Sequence, residues 1–314
     1  MSVLVITAED DAHVDYLQKH FDEPFIIFDP SKFPKNNDIT YKLNNGYFQI
    51  FSQNIELSSV QAIWYRKPRI LTIDEWPVDK EYRSFAHSSY VNSIKMLYGL
   101  MRDKVWVSNP WSIWRSNNKA YQLELAYELG FRIPKTLITS SPEQAKKFIL
   151  ELDSVITKEL SDDFIWKNGD AYGFYTTLIN KNIDLSGLIV SPAIFQECIN
   201  KLYDVRLTVI GSKIYPCAIY QTGDMQNEID WRVGAENTNL IYKPITDFPS
   251  ELGRKCVEML NIMDLNFGAF DFVVDKDKNF WFMEVNPNGQ WAFIEYETGM
   301  PISEGIANFM KKIN

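Results

Sequence analysis

The sequence predicts a mixed α/β (α+β) chain with antiparallel sheets in its second half. Three observations predict it. Short apolar runs alternate with amphipathic stretches near the N-terminus. From Val155 onward, alternating apolar and polar residues recur with turn residues between the runs. Asn168-Gly169, inside "DFIWKNGDAYGFYTT", is the strongest hairpin signal in the chain.

The elements follow in order. Residues 3–7 form an apolar run, 12–20 a helix and 25–28 a second run, which together make a small α/β unit. Residues 46–51 and 55–57 read as a hairpin, and 62–65 as a strand entering "WYRKP". Residues 80–101 place Tyr82, Phe85, Tyr90, Ile94, Leu97 and Met101 at helical spacing. A boundary falls near Asn109-Pro110. "NNKAYQLELAYELGF" is an amphipathic helix stopped by Gly130, and "IPKTLIT" a strand. Ser141-Pro142-Glu143 opens the next helix, with proline in the first turn, where its missing N–H costs nothing. Strands follow at 155–158, 193–197, 203–209 and 213–219, and a helix at 250–262. Residues 267–274 and 280–285 form an antiparallel pair.

The chain has 314 residues, of which 46% are hydrophobic, enough for a sizeable core. Net charge is −9 and no run of five lysines or arginines occurs, which argues against a nucleic-acid partner. No apolar run approaches the ~20 residues that cross a bilayer. The start, "MSVLVITAEDD", lacks the basic segment of a signal peptide. Cys198, Cys217 and Cys256 are widely spaced, which suits reduced thiols in a cytoplasm.

Within the final strand pair, Asp271, Glu284 and Asn286 can share one face, because strand side chains repeat every two residues. Their neighbours are strongly apolar, so the face is expected to be covered rather than solvated. Oxygen-only ligands, two of them charged, suit Mg²⁺, which keeps waters and bridges to phosphates. The candidate cations are Lys119, Lys158, Arg206 and Arg232. Lys158 and Arg206 sit inside apolar strands, where an unpaired charge is costly. Each alone could be an ordinary salt bridge or a chain whose head snorkels to water.

Taken in order, Lys119, "GFRIPKTLIT", Lys158, "IFQECI", "DVRLTVIG", "DWR", "FGAFDFVV" and "FMEVNPNGQW" resemble the ATP-grasp superfamily. "WYRKP", "QLELAYELGFRIPKTLIT" and "EVNPNGQWAFIE" followed by "TGMPI" resemble the graspetide, or microviridin-type, ligases that macrocyclise ribosomal precursor peptides. The resemblance implies an ATP-grasp fold in three parts, with antiparallel sheets around a nucleotide cleft. These are an N-terminal α/β domain (1–110), a central subdomain (111–195) and a C-terminal lobe with the metal site (196–314).

It also implies roles. Lys119 and Lys158 match the lysines on ATP phosphates. Gln196, Glu197 and Ile199 match the hinge at the adenine edge, and Asp204 a position near the ribose. Arg206 matches the arginine near the γ-phosphate, and Arg232 one facing the acceptor carboxylate. Asp271, Glu284 and Asn286 match the Mg²⁺ ligands, with Asn288 in the polar turn beside them. Asp184 marks a region that would meet the leader of the peptide. Arg66 is the candidate for a contact with the peptide substrate, if Trp64, Tyr65 and Arg66 line the cleft rather than pack. The loop between Lys158 and the hinge is glycine-poor, with only Gly169, Gly173 and Gly187, so it is less suited than usual to cover phosphates. A homodimer is the family expectation.

The implied activity is ATP-dependent ligation. A Glu or Asp side chain becomes an acyl phosphate and is captured by Ser/Thr or Lys, giving an ω-ester or ω-amide. Both reactants are anions, which is why cations and Mg²⁺ are needed. No nucleophile of the enzyme is required, and no Ser-His-Asp or Cys-His pattern is present. Two alternatives stay open: another ATP-grasp carboxylate–amine ligase that adds an amino acid or glutamate, or a catalytically silent binding module. Glu284→Gln is expected to remove activity with little loss of stability.

Overall fold

The computed structural model describes residues 1–8, 11–32, 39–44, 47–52, 55–158, 160, 165–167, 170–172, 175–223, 228–235 and 239–311. The first apolar runs become a parallel sheet. Val3–Ile6 lies between Ile26–Phe28 and Ala62–Tyr65, with Val105–Trp106 at the edge. Every residue of Val3–Ile6 and Ala62–Tyr65 is buried, as parallel strands covered on both faces must be. Ile39–Asn44, Tyr47–Ser52 and Ile55–Glu56 form a separate antiparallel ribbon. The sequence reading had only part of it, and Gly46, where its hairpin began, lies outside the described residues.

Two antiparallel sheets make the rest. One orders Thr177–Leu178, Val155–Lys158, Ala193–Glu197 and Thr136–Thr139. The other orders Leu240–Pro244, Lys213–Gln221, Lys201–Ile210, Phe267–Asp275 and Phe280–Asn286. Ile165–Lys167 pairs with Asp170–Tyr172, as the hairpin signal predicts, although Asn168, Gly169 and Gly173 lie outside the described residues. Three elements escaped the sequence reading: Pro110–Ser116, Ala292–Thr298 and Ile302–Lys311 are helices.

Capping explains the helix that carries Lys119. Asn118 accepts the Tyr121 N–H at its start, and Gly130 takes a left-handed φ of 70° just past its end. Gln122, buried on this helix, donates to Ser116 O (2.7 Å) and Val285 O (2.8 Å) and accepts from Val285 N–H (2.9 Å). This staples the helix to the strand that carries Glu284. Gln122→Ala leaves three buried backbone groups unpaired. It should lower the unfolding free energy by about 2–4 kcal/mol, read from urea denaturation.

Register then places the charges. Arg206 lies opposite Asp271, and Asp271 opposite Glu284, across three adjacent strands. The last pairing slips by one residue, so that Phe272 meets Phe282 and Met283 is left over. An extra residue of this kind re-aims side chains, and such bulges occur beside active sites. Here Phe282 stays in the core, while Met283 and Glu284 both face a cavity.

Candidate active site

That cavity, of about 450 Å³, is lined from both antiparallel sheets and by the segment around Asp230–Arg232. Lys119, Lys158, Gln196, Ile199, Asp204, Arg206, Arg232, Asp271, Glu284 and Asn286 all line it. The sequence order of these residues carried no distances; the fold brings all ten to one space.

Its charges are paired across short gaps. Glu284 Oε2 lies 3.5 Å from Lys119 Nζ and 3.8 Å from Lys158 Nζ. The Lys158 ammonium also donates to the bulged carbonyl of Met283 at 3.5 Å. Arg206 donates to Asp271 at 2.7 Å, with its guanidinium 5.8 Å from the Trp231 ring centre. Burial pushes the Asp271 carboxyl up, and neighbouring Glu284 adds to this, against the pull of Arg206. Burial would raise Glu284 too, but Lys158 and Lys119 outweigh it and hold the group below the usual range. Burial also lowers the Lys158 ammonium, which Lys119 reinforces and Glu284 opposes.

The remaining predicted residues fall elsewhere. Glu197 turns its carboxylate to the Lys135 N–H (3.3 Å) and does not line the cavity. Asp184 is exposed, caps Ser186 N–H at 2.9 Å and is not at the cavity. Arg66 corrects the expectation of a peptide contact. It is 2% exposed, and its guanidinium donates to the carbonyls of Asn288 (2.5 Å) and Gly289 (3.2 Å) and pairs with Asp11 (3.3 Å). Trp64 and Tyr65 are buried beside it, because the strand that carries them is central in its sheet. Asn288 does not line the cavity either; its amide donates to Arg66 O at 2.8 Å.

Other lining groups escaped the sequence reading. Asp230 holds Arg232 in a two-point fork (2.9 and 2.6 Å) and accepts the Thr176 N–H (3.0 Å), tying the two sheets together. The motif "DWR" contained that partner two residues before the arginine. Lys201 binds Asp204 at 2.6 Å. Three residues apart on a regular strand they would face opposite ways. The register shift between Lys201 and Tyr203 brings them together, and no sequence period announces such a shift.

No protein-family model matches the chain, and no curated protein does. Solved structures do. An ATP-grasp ligase from Chryseobacterium gregarium, described as RiPP-associated and solved with ADP and a leader and core peptide, superposes with a TM-score of 0.88. It is 25% identical, over 100% of this chain and 98% of that one. The macrocyclase MdnC from Microcystis aeruginosa MRC, bound with precursor peptide MdnA, gives 0.83 at 26% identity, over 99% of both chains. The chain is an ATP-grasp ligase, similar over its whole length to these RiPP-associated ligases. A D-alanyl-alanine synthetase from Vibrio cholerae shares the fold at a TM-score of 0.58 and 11% identity.

The ligase carries a built-in reporter of this cavity. Cys198 lines it and is half-buried, whereas Cys217 and Cys256 are fully buried. Burial pushes the Cys217 thiol up to about 12 and raises Cys256 as well. In the native ligase, iodoacetamide should therefore alkylate Cys198 first, with the other two reacting only after denaturation. Mg²⁺ with ADP should slow the Cys198 reaction several-fold, read by peptide mapping.

Proposed function

We propose that this ligase uses ATP and Mg²⁺ to activate Glu or Asp side chains of a ribosomally made precursor peptide. It then joins them to Ser or Thr hydroxyls as ω-esters, or to Lys as ω-amides. The observation that carries this reading is the convergence of Asp271, Glu284 and Asn286 with Lys119, Lys158, Arg206 and Arg232 in one cavity. The overall fold superposes end to end on ligases solved with nucleotide and precursor peptide, which supports the same reading.

The donor set fits Mg²⁺. It offers oxygen only, from two carboxylates and a carboxamide, too few for an all-protein cage and right for an ion that keeps waters and phosphate oxygens. Bound there, Mg²⁺ would neutralise phosphate charge. Asp271, Glu284 and Asn286 would hold it. With Glu284 and Asp271 so engaged, Lys119, Lys158 and Arg206 are left for the phosphates. Gln196 fits the base: its buried Oε1 has no partner among the described residues, while its amide nitrogen donates to Thr136 (2.9 Å). That oxygen is an acceptor for an N–H on the edge of a purine.

The reaction places no covalent demand on the protein. The substrate carboxylate attacks the γ-phosphorus, ADP leaves, and the acyl phosphate is then attacked by the hydroxyl or amine with loss of phosphate. Arg206 and Arg232 bind the carboxylate and the developing charge through planar forks. Asp230 holds the Arg232 fork before substrate arrives, which positions it. Positioning and electrostatics supply the acceleration.

We assign peptide handling to the part spanning residues 111–195, the metal site to 196–314, and the supporting α/β domain to 1–110. Asp184 lies in a segment that exposes Ile183, Ile189 and Val190, a mixed acidic and apolar surface suited to an amphipathic leader. A homodimer in the cytoplasm completes the reading. The helix Lys80–Leu100 leaves Tyr82 and Phe85 exposed for such an interface, and among the described residues no helix is long and apolar enough to cross a membrane. The deciding experiment is mass spectrometry of a candidate precursor after incubation with ligase, ATP and Mg²⁺. Loss of one water per ring supports macrocyclisation. A mass gain by an amino acid indicates the amino-acid-adding reaction, and no change together with no ADP release rejects the ligase reading.

A further inference from the structure

We infer that Arg66 and Asn288 are positioning residues for the metal ligand Asn286; this rests on the Mg²⁺ reading above. Asn286 ends its strand, where sheet hydrogen bonds stop holding the chain. Its side-chain oxygen accepts the Asn288 N–H at 2.9 Å, which fixes the amide and leaves a second lone pair for a cation. Asn288 is gripped from both sides by Arg66. It donates to the Arg66 carbonyl (2.8 Å) and accepts from the guanidinium (2.5 Å). The same guanidinium holds the Gly289 carbonyl at 3.2 Å. Gly289 is pressed against the neighbouring strand, where a Cβ would fall 2.3 Å from that of Ala269, so the turn has no freedom to rise.

Arg66 is itself held. Asp11 pairs with it at 3.3 Å and accepts from Thr7 Oγ1 (3.0 Å) and His13 N–H (3.1 Å). The His13 ring bonds Asp11 through Nδ1 (2.8 Å) and accepts the Trp291 N–H through Nε2 (3.3 Å), just past the same turn. A closed ring of bonds thus runs from the N-terminal sheet into the turn at both ends. It terminates on Asn286, which lines the cavity, while Arg66 and Asn288 do not. The sequence links "WYRKP" to "NPNGQW" in no visible way; the buried guanidinium does.

The test is calorimetric titration of Mg²⁺ into ligase saturated with ADP, for the parent, Asn288→Ala and Arg66→Lys. ADP binding without Mg²⁺ and thermal melting are measured alongside. Both variants should remain folded, bind ADP alone as the parent does, and need about tenfold more Mg²⁺ for half-saturation. An unchanged Mg²⁺ midpoint in either folded variant overturns the inference and leaves the site intact. So does an equal loss of ADP binding with and without Mg²⁺. Two variants that fail to melt cooperatively overturn it as well, since the ring would then serve the fold alone. A parent that shows no Mg²⁺-dependent ADP binding removes the reading beneath it.

Discussion

Replacing Glu284 by Gln is expected to abolish ATP-dependent ring formation, with turnover falling at least about a thousandfold, roughly 4 kcal/mol of barrier. The carboxylate has two duties. It faces Asp271 across the strand pair as a proposed metal ligand, and it is the counter-charge to Lys119 and Lys158. Gln keeps the shape and removes the charge. Steady-state turnover of a precursor, followed by mass spectrometry, checks the first duty; turnover within tenfold of the parent would reject the metal assignment. Thermal melting checks the second. Because Glu284 is held below its ordinary value near 4.5, its stabilisation is present above that pH and is lost as the pH falls through the depressed value. The variant should therefore melt below the parent at neutral pH, and the two should converge in acid. The sequence alone suggested little loss of stability; the lysine pair is the reason to expect otherwise.

Arg206→Ala should cost about a thousandfold or more in turnover, a loss in the range of removing a charged phosphoryl-transfer group. Arg206 is only 8% exposed and spans the step from one strand to the next, donating to Asp271 at 2.7 Å. Its loss strands Asp271 in a buried place already unfavourable to charge, so that the carboxyl rises further and is less available as a ligand. Arg206→Lys keeps the charge but not the fork. It should restore Mg²⁺–ADP binding more than turnover, because binding needs a charge and the reaction needs geometry. Equal recovery of both, measured by calorimetry and single-turnover kinetics, would show that the fork is dispensable.

Much of this was legible in the chain. Near-continuous apolar runs at 267–274 and 280–285 marked two paired strands, and the two-residue repeat of a strand put Asp271, Glu284 and Asn286 on one face. Gly130 marked the end of the Lys119 helix by local chemistry alone. Lys158 and Arg206 stood out because a charge inside an apolar strand requires a partner. Such signals are local, so a sequence carries them openly.

The partners themselves were not legible. Arg66 had looked like a substrate contact, because an arginine after an apolar strand reads the same whether it meets a ligand or a buried carboxylate. Only the packing of the N-terminal sheet against the turn at Asn288 assigned it to Asp11 and two carbonyls. Met283 should by alternation have pointed away from Glu284, and one slipped residue turned it to the cavity. Lys201 reached Asp204 through another slip. The sequence by itself determined which strands and helices form and which charged residues need company. The tertiary structure decided whom they meet, because register shifts and contacts between residues hundreds of positions apart are set by packing and leave no periodic trace.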